Sequence, residues 1–223
     1  MPLTNLQFNH NPVHDLTPLQ KMPLETLGCA ETKVTDFSPL KGLKLKVLGA
    51  QLLAVTDLSP LEGMPLTGID LYHTVGVSSL APLKGMPLEG LNLQDVPVSD
   101  LSPLAEMTTL RTLLLQGTKV SDLSPLTGLK LTDLFLRDKQ ITDLSPLKGQ
   151  PLSRLGIDGS GVSDVTPLQG MPLAELWLDA KNITQGIDVL REMKSLKLIG
   201  IAHDKAWSPA EFWERYDKGE FKE

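Results

Sequence analysis

The chain has 223 residues and a net charge of −6; it is 41% hydrophobic but only 4% aromatic, and 22% of its residues are charged. An acidic chain with no apolar run near the roughly 20 residues of a bilayer span is neither a basic nucleic-acid binder nor a membrane-inserted protein. Its 44 leucines and single cysteine imply a core of branched aliphatics with no internal disulfide.

The N-terminal Met1-Pro2-Leu3-Thr4-Asn5-Leu6 has no basic segment and no apolar signal core, which favours a cytoplasmic setting. An extracellular one stays open if the chain is a fragment. Leu3, Leu6 and Phe8 start a strand pattern with no polar cap before it. The expectation is therefore a fragment of a longer protein, in preference to protection of this uncapped first rung by self-association; the chain is expected to be a monomer or to self-associate weakly through that rung.

From Asp15 onward the chain repeats. Asp15-Leu16-Thr17-Pro18-Leu19 recurs as Asp36 to Leu40, Asp57 to Leu61, Ser79 to Leu83, Asp100 to Leu104, Asp122 to Leu126, Asp143 to Leu147 and Asp164 to Leu168. The prolines are 21 or 22 residues apart, a period within the leucine-rich-repeat range. Between these segments runs L-x-x-L-x-L, as in Leu88-Glu89-Gly90-Leu91-Asn92-Leu93 and Leu173 to Leu178. Its alternation predicts a short strand whose fourth and sixth positions point inward while the third, fifth and seventh point outward. Ten rungs, counting the partial first copy and the divergent Leu196-Ile199-Ile201, would span roughly 45 Å at strand spacing.

The other half of each repeat follows from local chemistry. Proline fixes φ and donates no hydrogen bond, so Ser-Pro or Thr-Pro suits the opening of a single helical turn. The preceding aspartate can accept from the turn amides. Seven aspartates occupy this phased position, so the acidity belongs largely to the scaffold and says little about a partner. Gly-Met-Pro-Leu at Gly63, Gly85 and Gly170 turns the chain back into the next strand. The predicted fold is an α/β solenoid of leucine-rich repeats: a curved parallel β-sheet on the concave face, short 3-10 or helical turns on the convex face, and a C-terminal capping helix. Residues 1–201 would form the solenoid and 202–223 the cap. Ser208-Pro209-Ala210-Glu211 matches a capping box and places the helix near 208–217, with Phe212, Trp213 and Tyr216 on one side to cover the last rung.

The D-L-S-P-L segment followed by L-x-x-L-x-L resembles the bacterial leucine-rich repeats of internalin type over about residues 1 to 201. Those repeats carry Asn at the ninth position, whereas this column reads Asn11, Thr32, Leu53, Thr74, Val96, Thr118, Lys139, Ser160 and Lys181. The wording Ser-Pro-Leu-Lys-Gly-Met-Pro-Leu, with a closing Pro-Ala-Glu-Phe-Trp helix, is similar to repeat regions attached to bacterial serine/threonine protein kinases. The resemblance implies a binding scaffold, not a catalyst.

Function on such a scaffold belongs to the outward columns. Leu114, Phe135 and Trp177 would project there, with Arg137, Arg154, Asp133, Asp158, Glu175 and Asp179 around them. An apolar centre with a charged rim is the composition of a protein-binding hot spot. Tyr72 and His73 form a smaller group in a rung with one extra residue. Gly28, Gly49, Gly68 and Gly90 leave the first half flatter, open to close approach of a partner backbone.

An enzymatic constellation does not emerge. Cys29 sits at an inward position and reads as a buried small hydrophobe. His10, His14, His73 and His203 fall on distant rungs, and His10 and His73 would be about 14 Å apart by strand spacing, too far to share a metal. No cofactor is expected, and there is no phosphate-binding loop, kinase signature or dinucleotide fingerprint. The expected function is non-catalytic protein binding on the sheet face, as the recognition part of a larger bacterial signalling protein. An extracellular adhesin or envelope- or glycan-binding domain is the alternative. An enzyme using the carboxylates beside Trp177 is the third reading, disfavoured because an open sheet gives carboxylates little desolvation.

Overall fold

The computed structural model describes residues 2–202 and 204–221. These fall into two compact units, one up to Lys119 and the other from Val120. In the first, six three-residue strands run in parallel in chain order: β1 (Asn5–Gln7), β2 (Thr26–Gly28), β3 (Val47–Gly49), β4 (Gly68–Asp70), β5 (Gly90–Asn92) and β6 (Thr112–Leu114). Each position of one repeat pairs with the same position of the next, so a column in the sequence is a column in space. The second unit continues this plan with β7 (Asp133–Phe135), β8 (Arg154–Gly156), β9 (Glu175–Trp177) and β10 (Leu198–Ala202), again parallel. It then departs from the repeat. Helix α1 (Ile187–Arg191) replaces the proline turn, and β11 (Lys205–Trp207) returns antiparallel to β10 before helix α2 (Pro209–Asp217).

The inward columns form the core. Leu27, Leu48, Ile69, Leu91 and Leu113 at the fourth position, and Cys29, Ala50, Leu71, Leu93 and Leu115 at the sixth, are all buried. Leu134, Leu155 and Leu176 continue the fourth position in the second unit. Each such leucine contributes roughly 1.5–3 kcal/mol by leaving water, which a coil with only three strand residues could not obtain from backbone bonding alone.

The proline segments fold as single 3-10 turns, such as Ser59–Leu61 and Ser124–Leu126, with proline in the first turn. Every phased aspartate accepts the amide hydrogen two residues on, for example Ser59 N to Asp57 Oδ1 at 2.8 Å and Ser145 N to Asp143 Oδ1 at 2.7 Å. Where Ser79 replaces aspartate, its hydroxyl takes the same part at 3.3 Å. The ninth column keeps one amide, Asn11, which donates to Phe8 O at 3.0 Å, and uses hydroxyls at four later positions. Thr32, Thr118 and Ser160 donate to the carbonyl three residues back at 2.6–2.8 Å, and Thr74 donates to Ala50 O at 2.9 Å. Leu53 and Val96 interrupt that series as buried apolar residues.

After each strand of the first unit the backbone turns through the left-handed region at His10, Glu31, Leu52, His73 and Asp95, with φ between 54° and 60°. The turn aims these residues' amides at the next coil, as in Leu52 N to Tyr72 O at 2.8 Å and Asp95 N to Gln116 O at 2.8 Å. Gly117 in this unit, and Gly159 at the same repeat position in the second, fill this column with the residue that such a φ favours.

At the C-terminal end Ser208 caps α2. Its hydroxyl accepts from Glu211 N and the Glu211 carboxylate accepts from Ser208 N, a complete capping box. Phe212 is fully buried, packed edge-on to Trp213 at 5.0 Å and stacked on Phe221 at 5.0 Å. Arg191 of α1 lies over the Trp213 ring at 4.6 Å and pairs with Asp217, tying the two helices together.

Candidate functional site

Eight of the residues singled out from the sequence lie in the second unit, on or just after the outward columns of β7–β9. The Phe135 and Trp177 rings meet at 5.7 Å between centroids, tilted by 42°. Gly156 stands between them in the fifth-position column, in register with both. A Cβ there would fall 2.6 Å from Phe135 Cδ1, so the ring lies over the glycine backbone. Trp177 does the same one strand further on, where a Cβ at Gly200 would fall 2.4 Å from Trp177 Cδ1. The consequence differs from the projecting indole read from alternation: Trp177 occupies an outward position yet is 7% exposed. Its Nε1 is buried without a hydrogen-bond partner. Phe135 remains half-buried.

Charged side chains frame this pair and hold one another. Arg154 places its guanidinium 5.3 Å from the Phe135 centroid, reaches Glu175 through Nε at 3.1 Å and Asp133 through Nη1 at 3.4 Å. Arg137 pairs with Asp158 at 2.8 Å, and Asp158 is only 8% exposed, so it is an anchored acceptor and not a free rim carboxylate. Asp179 accepts the Gly159 amide at 2.8 Å and so fixes the turn of the preceding coil. The carboxylates considered for acid–base chemistry are thus held by arginines or turn amides.

Tyr72 and Leu114 belong to the first unit. Tyr72 is half-buried after β4, its ring 5.9 Å from that of His73 and its amide donated to Asp70 Oδ1 at 2.9 Å. Leu114 ends β6 and lines a groove of about 410 Å³ on the outward face, together with Val47, Gly68, Asp70, Gly90 and Asn92. Sequence reasoning marked the glycines there but missed the groove, because it depends on Val47 and Leu114 flanking two strands whose third position is glycine. Val47 is 43% exposed, and Leu52 and Val75, in the turns after β3 and β4, are 40% and 56% exposed.

Of the histidines, His10 lies 3.1 Å from Glu31 and His73 lies 3.9 Å from Asp95, while His203 lies outside the described residues. Among the described residues no three His, Cys, Asp or Glu side chains converge as a metal site requires. Burial pushes the Cys29 thiol up to about 12, far from a reactive thiolate. No helix of the described residues is long and apolar enough to cross a membrane.

Internalin C2 from Listeria monocytogenes, a solved structure, superposes with a TM-score of 0.60 at 25% sequence identity, over 88% of this chain and 79% of that one. The fold is a leucine-rich repeat of the internalin kind. No protein-family model matches the sequence, and no curated protein is significantly similar to it. An internalin-like repeat scaffold points to protein interaction as the general class of function.

Proposed function

We propose that the chain is a non-catalytic protein–protein interaction module whose partner docks on the outward face of the sheet. In the second unit the contact patch comprises Phe135, Arg137, Arg154 and Asp179, with the buried Trp177 and Asp158 holding Phe135 and Arg137 in place from beneath; Tyr72 and Leu114 are contacts on the corresponding face of the first. The observation that carries this reading is the Phe135–Trp177 pair laid over Gly156 and Gly200 with Arg154 across it. An aromatic and arginine cluster already fixed before binding loses little side-chain entropy when a partner arrives. The similarity to repeat regions attached to bacterial kinases favours a recognition role within a larger signalling protein. The likeness to internalin C2 supports the second reading, an extracellular adhesin or envelope-binding domain.

Partner capture from lysate of the source cell tests the face. The native chain is compared with Phe135→Ala and Arg154→Ala, both checked by thermal unfolding. A protein retained by the native chain and lost by folded variants supports the reading; identical partners for all three refute it. An upstream reading frame encoding a kinase separates the signalling setting from the adhesin setting, which calls for a signal peptide or wall anchor.

A further inference from the structure

The outward columns of β1–β6 and the seventh-position residues that follow contain one charged side chain, Asp70; the rest are amides, hydroxyls, a phenol, glycines and apolar residues. Asp70 lies half-buried in the groove of about 410 Å³ and pairs with no Lys, Arg or His side chain among the described residues. Its carboxylate is nonetheless fixed in direction. Oδ1 accepts the Tyr72 amide at 2.9 Å and Oδ2 accepts Gln51 Nε2 at 2.8 Å, and a carboxylate retains acceptor capacity beyond two donors. Its register neighbour Asn92 is oriented likewise, with Oδ1 accepting the Gln94 amide at 3.0 Å. Two acceptors on adjacent strands therefore stand in a groove whose flanks are the side chains of Val47 and Leu114.

We propose that this groove takes a basic side chain, arginine or lysine, from a segment of the protein partner, with its head group on Asp70 and Asn92 and its methylene stem against Val47 and Leu114. The proposal rests on the protein-binding reading above and deepens it by naming the chemistry of the contact. Charge decides the occupant. Any ligand that fills the groove strips water from Asp70; an apolar or acidic group would leave that carboxylate without compensation, and a neutral donor would return about half of what a charged one does. A guanidinium offers a planar fork suited to two acceptors, and basic side chains lay their stems along apolar surface. The open space is not forced by the fold: neither Gly68 nor Gly90 has a left-handed φ, a Cβ at Gly90 would meet nothing within 4 Å, and one at Gly68 would meet Val47 at an ordinary 3.9 Å.

The test uses a phage-displayed library of random seven-residue peptides panned against the whole chain. Enriched peptides are resynthesised and titrated by fluorescence anisotropy against the native chain, Asp70→Asn and Gly90→Val. Asp70→Asn keeps the shape and removes the charge; Gly90→Val fills the groove. The expected peptides carry a fixed Arg or Lys beside an apolar residue, and each variant weakens their binding at least about tenfold, as does citrulline or norleucine in place of the basic residue. If Asp70→Asn does not fold, Gly90→Val and the neutral peptides still decide. Peptides without a basic residue, binding indifferent to Asp70→Asn, or no enrichment would overturn the proposal. Binding abolished by Phe135→Ala and untouched by Asp70→Asn would overturn it while leaving the protein-binding reading standing.

Discussion

Replacing Gly156 with alanine measures how firmly the aromatic pair depends on the bare backbone beneath it. The new Cβ would fall 2.6 Å from Phe135 Cδ1 and 3.2 Å from Cε1. If the ring stays, overpacking costs about 1–3 kcal/mol. If it swings out, it forfeits the tilted contact with Trp177, about 0.5–1.5 kcal/mol, and the Arg154 contact, about 0.5–1 kcal/mol. Alanine returns about 0.4–1 kcal/mol by restricting the unfolded chain. Both routes leave a net loss of about 1 kcal/mol, which in a chain of this length lowers the Tm by roughly 2–4 °C. Gly90→Ala makes the same chemical change where nothing lies within 4 Å and is expected to hold or raise the Tm. Thermal unfolding followed by far-UV circular dichroism, with tryptophan fluorescence as a second probe, compares the two. Adding Phe135→Leu to Gly156→Ala should recover part of the loss, the coupling expected of contacting residues. Equal stability of the two alanine variants would refute the idea that Gly156 seats the ring.

Cys29 is expected to resist Ellman's reagent in the native state and to react fully once guanidinium unfolds the chain; rapid native labelling would contradict its burial. Hydrogen bonds from the serine or threonine two residues on hold Asp15, Asp36, Asp57, Asp100 and Asp122 below their ordinary value of 3.8. A folded pKa below the unfolded one means that stability is full above 3.8 and is lost as pH falls through the lower folded values. Asp100→Asn/Asp122→Asn should therefore flatten the acid limb of a urea-midpoint profile below about pH 4, and an unchanged slope would dismiss the linkage. Leu91→Ala, at a site 1% exposed, should cost about 2–5 kcal/mol in urea unfolding; less than 1 kcal/mol would place that column outside the core. Ser208→Ala removes the α2 cap and should cost about 1 kcal/mol, seen as faster hydrogen exchange confined to the C-terminal helix; unchanged exchange would show the cap to be idle.

The repeat made most of the fold legible. A 21- or 22-residue period with aliphatics at two alternating positions has few ways to bury them other than stacked coils, and the capping box at Ser208 located the last helix. The sequence was mute where the pattern stops: α1 and β11 replace a repeat with segments that carry no phased proline, and the antiparallel return of β11 depends on tertiary pairing. On the site, alternation told which way Trp177 departs from the strand and not what it meets. Its burial is decided by Gly200, a residue 23 positions later, and the cover is a neighbouring backbone, which no periodicity encodes. Asp158 and Asp179 likewise carry the composition of a charged rim but are committed to Arg137 and to the Gly159 amide. The groove around Asp70 was foreshadowed by its glycines, while its walls required the register.

The left-handed turns of the first unit bear on how this surface can change over time. His10, Glu31, Leu52, His73 and Asp95 hold a left-handed conformation that histidine and aspartate adopt comparatively readily but that costs Glu31 and Leu52 about 1–2 kcal/mol each, and Leu52 is in addition 40% exposed. Glu31 and Leu52 are each one substitution to glycine or asparagine away from relief of part of that strain. The lineage therefore has a reserve of compensating mutations at the rim of the coils that carry Glu31 and Leu52, a few residues from the outward face and remote from the leucine core. A variant that trades stability for a new contact on the face can be restored locally, so partner preference is free to drift while the scaffold persists.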